Sequence, residues 1–380
     1  MVGALLQTVT MVPRSRFLAP YLHFGTRKLS SFTFCGIVGV IAAVVLAMTL
    51  TAHRALSLWM MAAIVVAAIA TFFAVILVTK VITGVEQIIY YHHEIAVLVA
   101  AAFVAKLFGA PVLAYLDFTI LGIGAFLFCG RIGCLLVGCC HGRPSRFGVR
   151  YGDEHVACGF TWYYAGVRIF PLQLVEAVWV LGVVIVASMD VWRGAPPGAA
   201  LAAYVIAYDF ARFVLEYFRG DPARPYTFGL SQAQWISFWL TATVVIGELR
   251  GVLPWRVWHL ATLLVLIAAM IVTILLRRRS IAHVHHVREV ANIVARDPQV
   301  HQTDAPVTVA RTSGGLCLSA SRVIEATGPV SVFAFSSPSA PMSEREAAAM
   351  VRLILLLRRV TAPARVLRRE RGVFELVVRE

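Results

Sequence analysis

The chain of 380 residues is 59% hydrophobic and only 14% charged. A soluble protein of that length needs a mostly polar surface, so the composition excludes an ordinary water-facing globule and makes lipid the solvent for most of the chain. The formal net charge of +14 does not indicate nucleic acid. The basic residues flank apolar runs or fall in the C-terminal quarter, where anionic lipid headgroups or a phosphate-bearing substrate suit them better.

Residues Met1 to Lys28 contain no compact apolar segment followed by a small-residue cleavage site, so the first spanning helix is expected to do the targeting. Apolar runs at 32–52, 57–79, 93–110, 114–136, 171–189, 198–218, 233–248 and 257–276 are expected to span the bilayer. Most can cross roughly 30 Å of hydrocarbon at about 1.5 Å per residue. The fold expected is an all-α polytopic membrane protein of seven or eight transmembrane helices, with a small C-terminal α/β or partly disordered soluble extension. Its divisions are an N-terminal segment (1–31), a membrane domain (32–276), a basic, His-containing linker (277–303) and the extension (304–380). Eight spans put both termini on one side of the membrane. The basic residues Arg14, Arg16, Arg27, Lys28 and Arg277 to Arg279 favour the inside.

Before the third span the chain reads TGVEQIIYYHHE. Histidine accepts and returns a proton near neutral pH, which makes His92 a candidate acid–base residue; a headgroup-level histidine with no catalytic task is the alternative. The fourth span ends in GRIGCLLVGCCHGRP. An arginine at membrane depth is costly unless it meets an anion, a carboxylate or a polar cavity, so Arg131 is a functional candidate against the reading of a snorkelling helix-end residue. Gly142 and Arg143 follow in the same polar run. The segment 137–170 is too polar to span and too apolar for a plain linker, and Trp162, Tyr163 and Tyr164 suit the headgroup level. Cys134, Cys139, Cys140 and His141 lack a paired metal-ligand spacing, so small packing residues are expected there. No metal or cofactor is expected.

Gln173 and Glu176, near the start of the fifth span, are placed to orient Arg131 or Arg143. In the sixth span, YDFARFVLEYFRGD puts Asp209, Arg212, Glu216 and Arg219 on roughly one helical face. That face is either an ion-pair ladder that fixes packing or a phosphate-binding wall, since a guanidinium fork serves a carboxylate and a phosphate together. Beyond the last span, His283, His285 and His286 read as a solvated linker. PVSVFAFSS and GVFELVVRE alternate like strands, and SEREAAAMVRLILLLRRV reads as an amphipathic helix.

From about Leu29 to Phe238 the blocks GRIGCLLVGCCHGRPSRFGV, FPLQLVEAVW, AYDFARFVLEYFR and GLSQAQW resemble the prolipoprotein diacylglyceryl transferase family, in the family's order and near its spacing. The resemblance implies transfer of a diacylglyceryl group from phosphatidylglycerol, or a related anionic lipid, to the lipobox cysteine of a prolipoprotein, with release of glycerol phosphate. It implies multi-pass residence in a bacterial inner (cytoplasmic) membrane and no nucleic-acid partner. By position it carries over His92, Arg131, Arg143 and Arg212 as catalytic residues, with Gly142, Glu216 and Arg219 beside them, while Gln173 and Glu176 serve as substrate-site residues. Departures from the family pattern are Tyr91-His92-His93-Glu94 in place of a His-Gly-Gly block and Cys134 in place of asparagine. Val137 and Cys139 replace polar positions, and the segment Phe32 to Phe34 lacks the family's first-span tyrosine. A catalytically inactive relative that binds anionic phospholipid or a partner protein is the alternative.

Overall fold

The computed structural model describes residues 18–25, 27–84, 89–221, 226–276, 284–295, 299–300, 309–312, 315–325, 328–337, 342–359, 364–369 and 372–379. Arg277 to Arg279 and His283 lie outside these residues, as do Arg14 and Arg16. The chain divides into two compact units.

One unit, Leu29–Leu135 with Leu172–Ser280, is built from eight long helices: α1 Ser31–His53, α2 Leu58–Thr83, α3 Tyr90–Leu107, α4 Val112–Val137, α6 Leu172–Trp192, α7 Ala199–Leu215, α8 Gln232–Leu249 and α9 Val257–Leu276. Five of the described helices, Ser31–His53, Leu58–Thr83, Val112–Val137, Leu172–Trp192 and Val257–Leu275, are long and apolar enough to cross a membrane. Helices close on themselves because each backbone donor in hydrocarbon must find its acceptor within the segment. Only Met61 and Ile64 of α2 are buried, and exposed Val, Ile, Leu and Phe side chains cover much of α1, α2 and α9. Such a surface is stable in lipid and not in water.

Small residues bring the helices together. A methyl group at Gly124 of α4 would stand 2.5 Å from both Tyr204 of α7 and Val184 of α6, so only glycine lets the three helices meet there. Asp117, also on α4, accepts from the Gly198 and Leu201 amides at 2.7 Å each. One carboxylate thereby satisfies two of the orphan donors at the start of α7. Before α8, strands β5 (Tyr226–Thr227) and β6 (Leu230–Ser231) pair, and the helix begins with a capping box between Ser231 and Gln234, which also donates to the Phe213 carbonyl at 3.3 Å. The third span differs from expectation at its start: the run YYHHE, expected ahead of the helix, forms the first turn of α3.

The other unit comprises Met1–Lys28, Leu136–Pro171 and Ile281–Glu380. Strands β1 (Tyr21–Phe24) and β2 (Arg27–Ser30) pair, as do β3 (Pro144–Arg150) and β4 (Arg168–Ile169), with the short helix α5 (Asp153–Val156) between the latter two. A six-stranded sheet holds β7 (Gln299–Val300), β8 (Ala310–Arg311), β9 (Cys317–Glu325), β10 (Gly328–Ser336), β11 (Ala364–Arg368) and β12 (Phe374–Arg379). Its order is β11-β12-β10-β9-β7, with β8 also on β9. Helices α10 (Val284–Ala295) and α11 (Glu344–Arg358) complete the unit. Its core joins Phe333, Phe335, Ile354, Leu376 and Val290 to Tyr151, Phe160, Tyr164 and Ile169, so the segment between the fourth and fifth spans shares one apolar core with the C-terminal segment.

Candidate functional site

In the helical unit the buried charges converge on α7. Tyr204, Tyr208, Arg212 and Glu216 follow one another at intervals of four, and side chains so spaced lie over one another along one helix face. All four are buried. Helix α4 brings Arg131 to this stripe and α6 brings Glu176: the Arg131 guanidinium lies 2.9 Å from Glu176 Oε1, which also accepts from the Tyr208 hydroxyl at 3.0 Å. Arg212 Nη1 contacts Glu216 Oε2 at 2.6 Å and has Glu176 and Tyr208 within electrostatic reach. Arg219 holds Asp221 through Nε and Nη2 at 2.7 and 2.8 Å. Isolated, each of these charges would be prohibitively placed; together they form a network whose members offset one another.

A second layer adjoins it. The Tyr91 hydroxyl donates to Asp209 Oδ1 at 2.8 Å and meets Ser237 Oγ at 2.6 Å, tying α3, α7 and α8 together. The rings of Tyr91 and Tyr208 lie 6.1 Å apart, edge to face. Tyr90 and Tyr204 share a hydrogen bond of 3.0 Å, and Glu94 is buried among them.

Of the residues expected at the site, Arg131, Glu176, Arg212 and Glu216 are brought together, with Arg219 one turn on. Gln173 is buried three residues before Glu176 on α6. His92 is not part of this group. It is exposed on the outer side of α3, in a groove of about 490 Å³ shared with Val75, Val78, Thr79 and Ile82 of α2. His93 is buried, but its ring packs on Phe72 at 4.7 Å and its Nδ1 meets the Ile89 carbonyl at 3.0 Å. The first turn of α3 therefore presents Tyr91 and Glu94, and no histidine, to the charge network.

Gly142 and Arg143 belong to the other unit. The Gly142 amide donates to the Phe170 carbonyl at 3.2 Å, and the Phe170 amide donates to the Arg143 carbonyl at 3.0 Å. A Cβ on Gly142 would stand 2.5 Å from that Phe170 oxygen, which explains the glycine. Beside them Tyr164 is fully buried, its hydroxyl pushed well above the ordinary phenol range by burial and by Tyr163, with Arg288 and Arg143 opposing.

Sequence reasoning passed over Tyr91, Tyr204, Tyr208 and Asp117. A signal for the α7 tyrosines was present, since they stand four and eight residues before Arg212. For Tyr91 there was none, because the rotation of α3 cannot be read from a helix with apolar side chains on every side.

A polytopic helical protein that buries three arginines with matching carboxylates inside a lipid-facing bundle belongs among multi-pass membrane proteins with an internal charged site. The family model for prolipoprotein diacylglyceryl transferase matches residues 21–249, and the chain belongs to that family. It is similar to the phosphatidylglycerol–prolipoprotein diacylglyceryl transferase of Clostridium tetani, 30% identical over 141 residues, covering 36% of this chain and 51% of the relative. The second such enzyme of Clostridium perfringens is 32% identical over 151 residues, covering 37% and 54%. That of Dehalococcoides mccartyi is 29% identical over 132 residues, covering 34% and 48%. The chain spans about half the length of the curated relatives it matches.

Proposed function

We propose that this membrane protein transfers the diacylglyceryl group of phosphatidylglycerol to the lipobox cysteine thiol of a prolipoprotein. The observation that carries the reading is the buried network Arg131–Glu176–Tyr208 beside Arg212–Glu216, inside the stretch matched by the family. Each guanidinium has five donors, so a carboxylate can fix its plane while other N–H groups address a phosphate. Arg131 and Arg212 hold the phosphate and offset the charge that grows on the departing oxygen. Glu176 and Glu216 orient them. In the reaction the thiolate sulfur forms a bond to the glyceryl carbon as that carbon's bond to the phosphate oxygen breaks, and the electron pair leaves on glycerol phosphate. Water exclusion by the bundle favours this displacement over hydrolysis.

Gln173 and Arg219 complete the proposed substrate site within the helical unit, while Arg143 and Gly142 belong to the other unit and are assigned substrate roles by position in the sequence alone. The resemblance makes His92 a catalytic acid–base residue by its position in the sequence. The groups facing the arginines are instead Tyr91, Tyr208 and Asp209, and the comparison of variants set out below separates the two assignments. All eight long helices are proposed to lie in the bacterial inner membrane, with residues 277–303 as a linker and 304–380 as a soluble extension. Complementation of a transferase-depleted bacterium tests the activity. The parent is expected to restore growth and to lipidate a lipobox reporter, and Arg131→Ala to do neither. A well-expressed parent that lipidates no reporter refutes the proposal.

A further inference from the structure

Strands β3 and β4 form a hairpin strung between two helices that are long and apolar enough to cross a membrane, α4 and α6. Leu172, at the start of α6, is the fourth residue after Arg168, so chain length alone keeps Arg168 within about 14 Å of that helix end. Pro144, seven residues beyond Val137, is within about 25 Å of the end of α4 by the same reckoning. In the chain the hairpin is therefore joined to both helices by short connections.

Its side chains are unusual for a short surface hairpin. The pairing register shifts between Pro144 and Val149, and the bulge carries Arg146 and Phe147 outward, Phe147 being 79% exposed. Arg150 and Arg168 are direct cross-strand partners, and both are exposed. Like charges placed opposite each other in an antiparallel pair destabilise it. Arg168 also donates to the Arg146 carbonyl at 2.9 Å, which draws a third guanidinium's strand position into the same patch. Arg359 stands within electrostatic reach of Arg150 and of the Asp153 carboxylate, and donates to the Ala165 carbonyl. Among the described residues no carboxylate forms an ion pair with Arg146, Arg150 or Arg168. Three crowded arginines with no ion-paired carboxylate among the described residues, set around an exposed phenylalanine, describe a surface suited to an external counter-charge and apolar cover.

We infer that the β3–β4 hairpin docks on the anionic phospholipid surface of the same membrane, with Arg146, Arg150 and Arg168 on headgroup phosphates and Phe147 inserted beside the acyl chains. A bilayer supplies both halves of what the patch lacks. Arginine near an anionic leaflet is attracted over about a Debye length, and an aromatic ring among cations is suited to the interface. The inference concerns attachment and is independent of transfer activity.

The full-length protein carrying Phe147→Trp, reconstituted in nanodiscs, reports the contact directly. Subtracting the spectrum of the parent removes the eight native tryptophans. In discs of phosphatidylcholine and phosphatidylglycerol in equal parts, the tryptophan at position 147 is expected to emit to the blue of exposed indole and to be quenched at least twofold by lipids brominated on the acyl chains. Discs of phosphatidylcholine alone, or the added pair Arg150→Glu and Arg168→Glu, are expected to abolish most of that quenching. The pair Arg150→Lys and Arg168→Lys keeps it, and an unchanged melting profile shows that the hairpin still folds. Solvent-like, unquenched emission in both discs overturns the inference. So does quenching indifferent to phosphatidylglycerol, or a blue shift that appears only when a lipobox peptide is added.

Discussion

The double replacement of Arg131 and Glu176 separates packing from chemistry at the buried network. The two side chains meet at 2.9 Å, both buried, and Glu176 has Tyr208 as a further partner. Removing one partner leaves an uncompensated buried charge, which costs about 3–5 kcal/mol. Arg131→Gln and Glu176→Gln alone are therefore each expected to lower the melting temperature in detergent markedly. The combined variant leaves two neutral amides and no unpaired charge, so the charge penalty of the single variants is removed. Its melting temperature should return toward that of the parent. Activity should not return, because the donor proposed to hold the phosphate is gone, and loss of one such donor costs roughly 100- to 1,000-fold in rate. Reporter lipidation in nanodiscs, read by gel mobility beside the melting curve, gives both numbers on one sample. A double variant that regains stability and activity together would show that Arg131 serves packing alone and refute the phosphate assignment.

His92 faces the α2 groove while Asp209 bonds Tyr91 beside the arginines, so His92→Ala should retain most of the lipidation rate. Asp209→Asn should lose on the order of 100- to 10,000-fold if Asp209 takes part in proton transfer, and the opposite ranking in the same assay restores His92 as the base. Asp117→Ala removes the acceptor for the Gly198 and Leu201 amides and should destabilise the bundle by about 0.5–2 kcal/mol, with Asp117→Asn milder; equal melting of all three proteins rules out the cap. His155 donates from Nε2 to the Leu136 carbonyl and accepts the Gly152 amide at Nδ1, a pattern that needs the neutral ring. Burial holds its pKa below the ordinary 6.5. The unfolded chain therefore binds the proton first, and stability present above pH 6.5 is lost as pH falls from there toward the lowered folded value. Melting temperatures between pH 7 and pH 5 should fall less steeply for His155→Gln, and parallel curves would contradict this.

Much of the architecture was legible because bilayer solvent is an unforgiving reader of sequence. Runs of apolar residues long enough to span must be helices, and each of the eight runs is a helix. The four-residue spacing of Arg212 and Glu216 could be read directly, since one helix fixes which of its own side chains align. The partnership of Arg131 with Glu176 was legible in part, because two isolated charges at the ends of neighbouring spans have few other ways to be tolerated. The difference at His92 has an equally plain cause. One residue along a helix is about 100° of rotation, so a helix that starts at Tyr90 turns Tyr91 inward and its neighbour outward.

By itself the sequence determined the solvent, the helices and the order of charges along each of them, because these follow from local spacing and from the cost of exposing peptide groups to hydrocarbon. Tertiary structure decided how charges on different helices finally meet. The contact of Glu176 with Arg131 and Tyr208 depends on the rotation and depth of three helices, set by packing at Gly124 and by the Asp117 cap on α7. It also decided that residues between the fourth and fifth spans share a core with the C-terminal segment, since that pairing lies between stretches more than a hundred residues apart, beyond the reach of any local pattern.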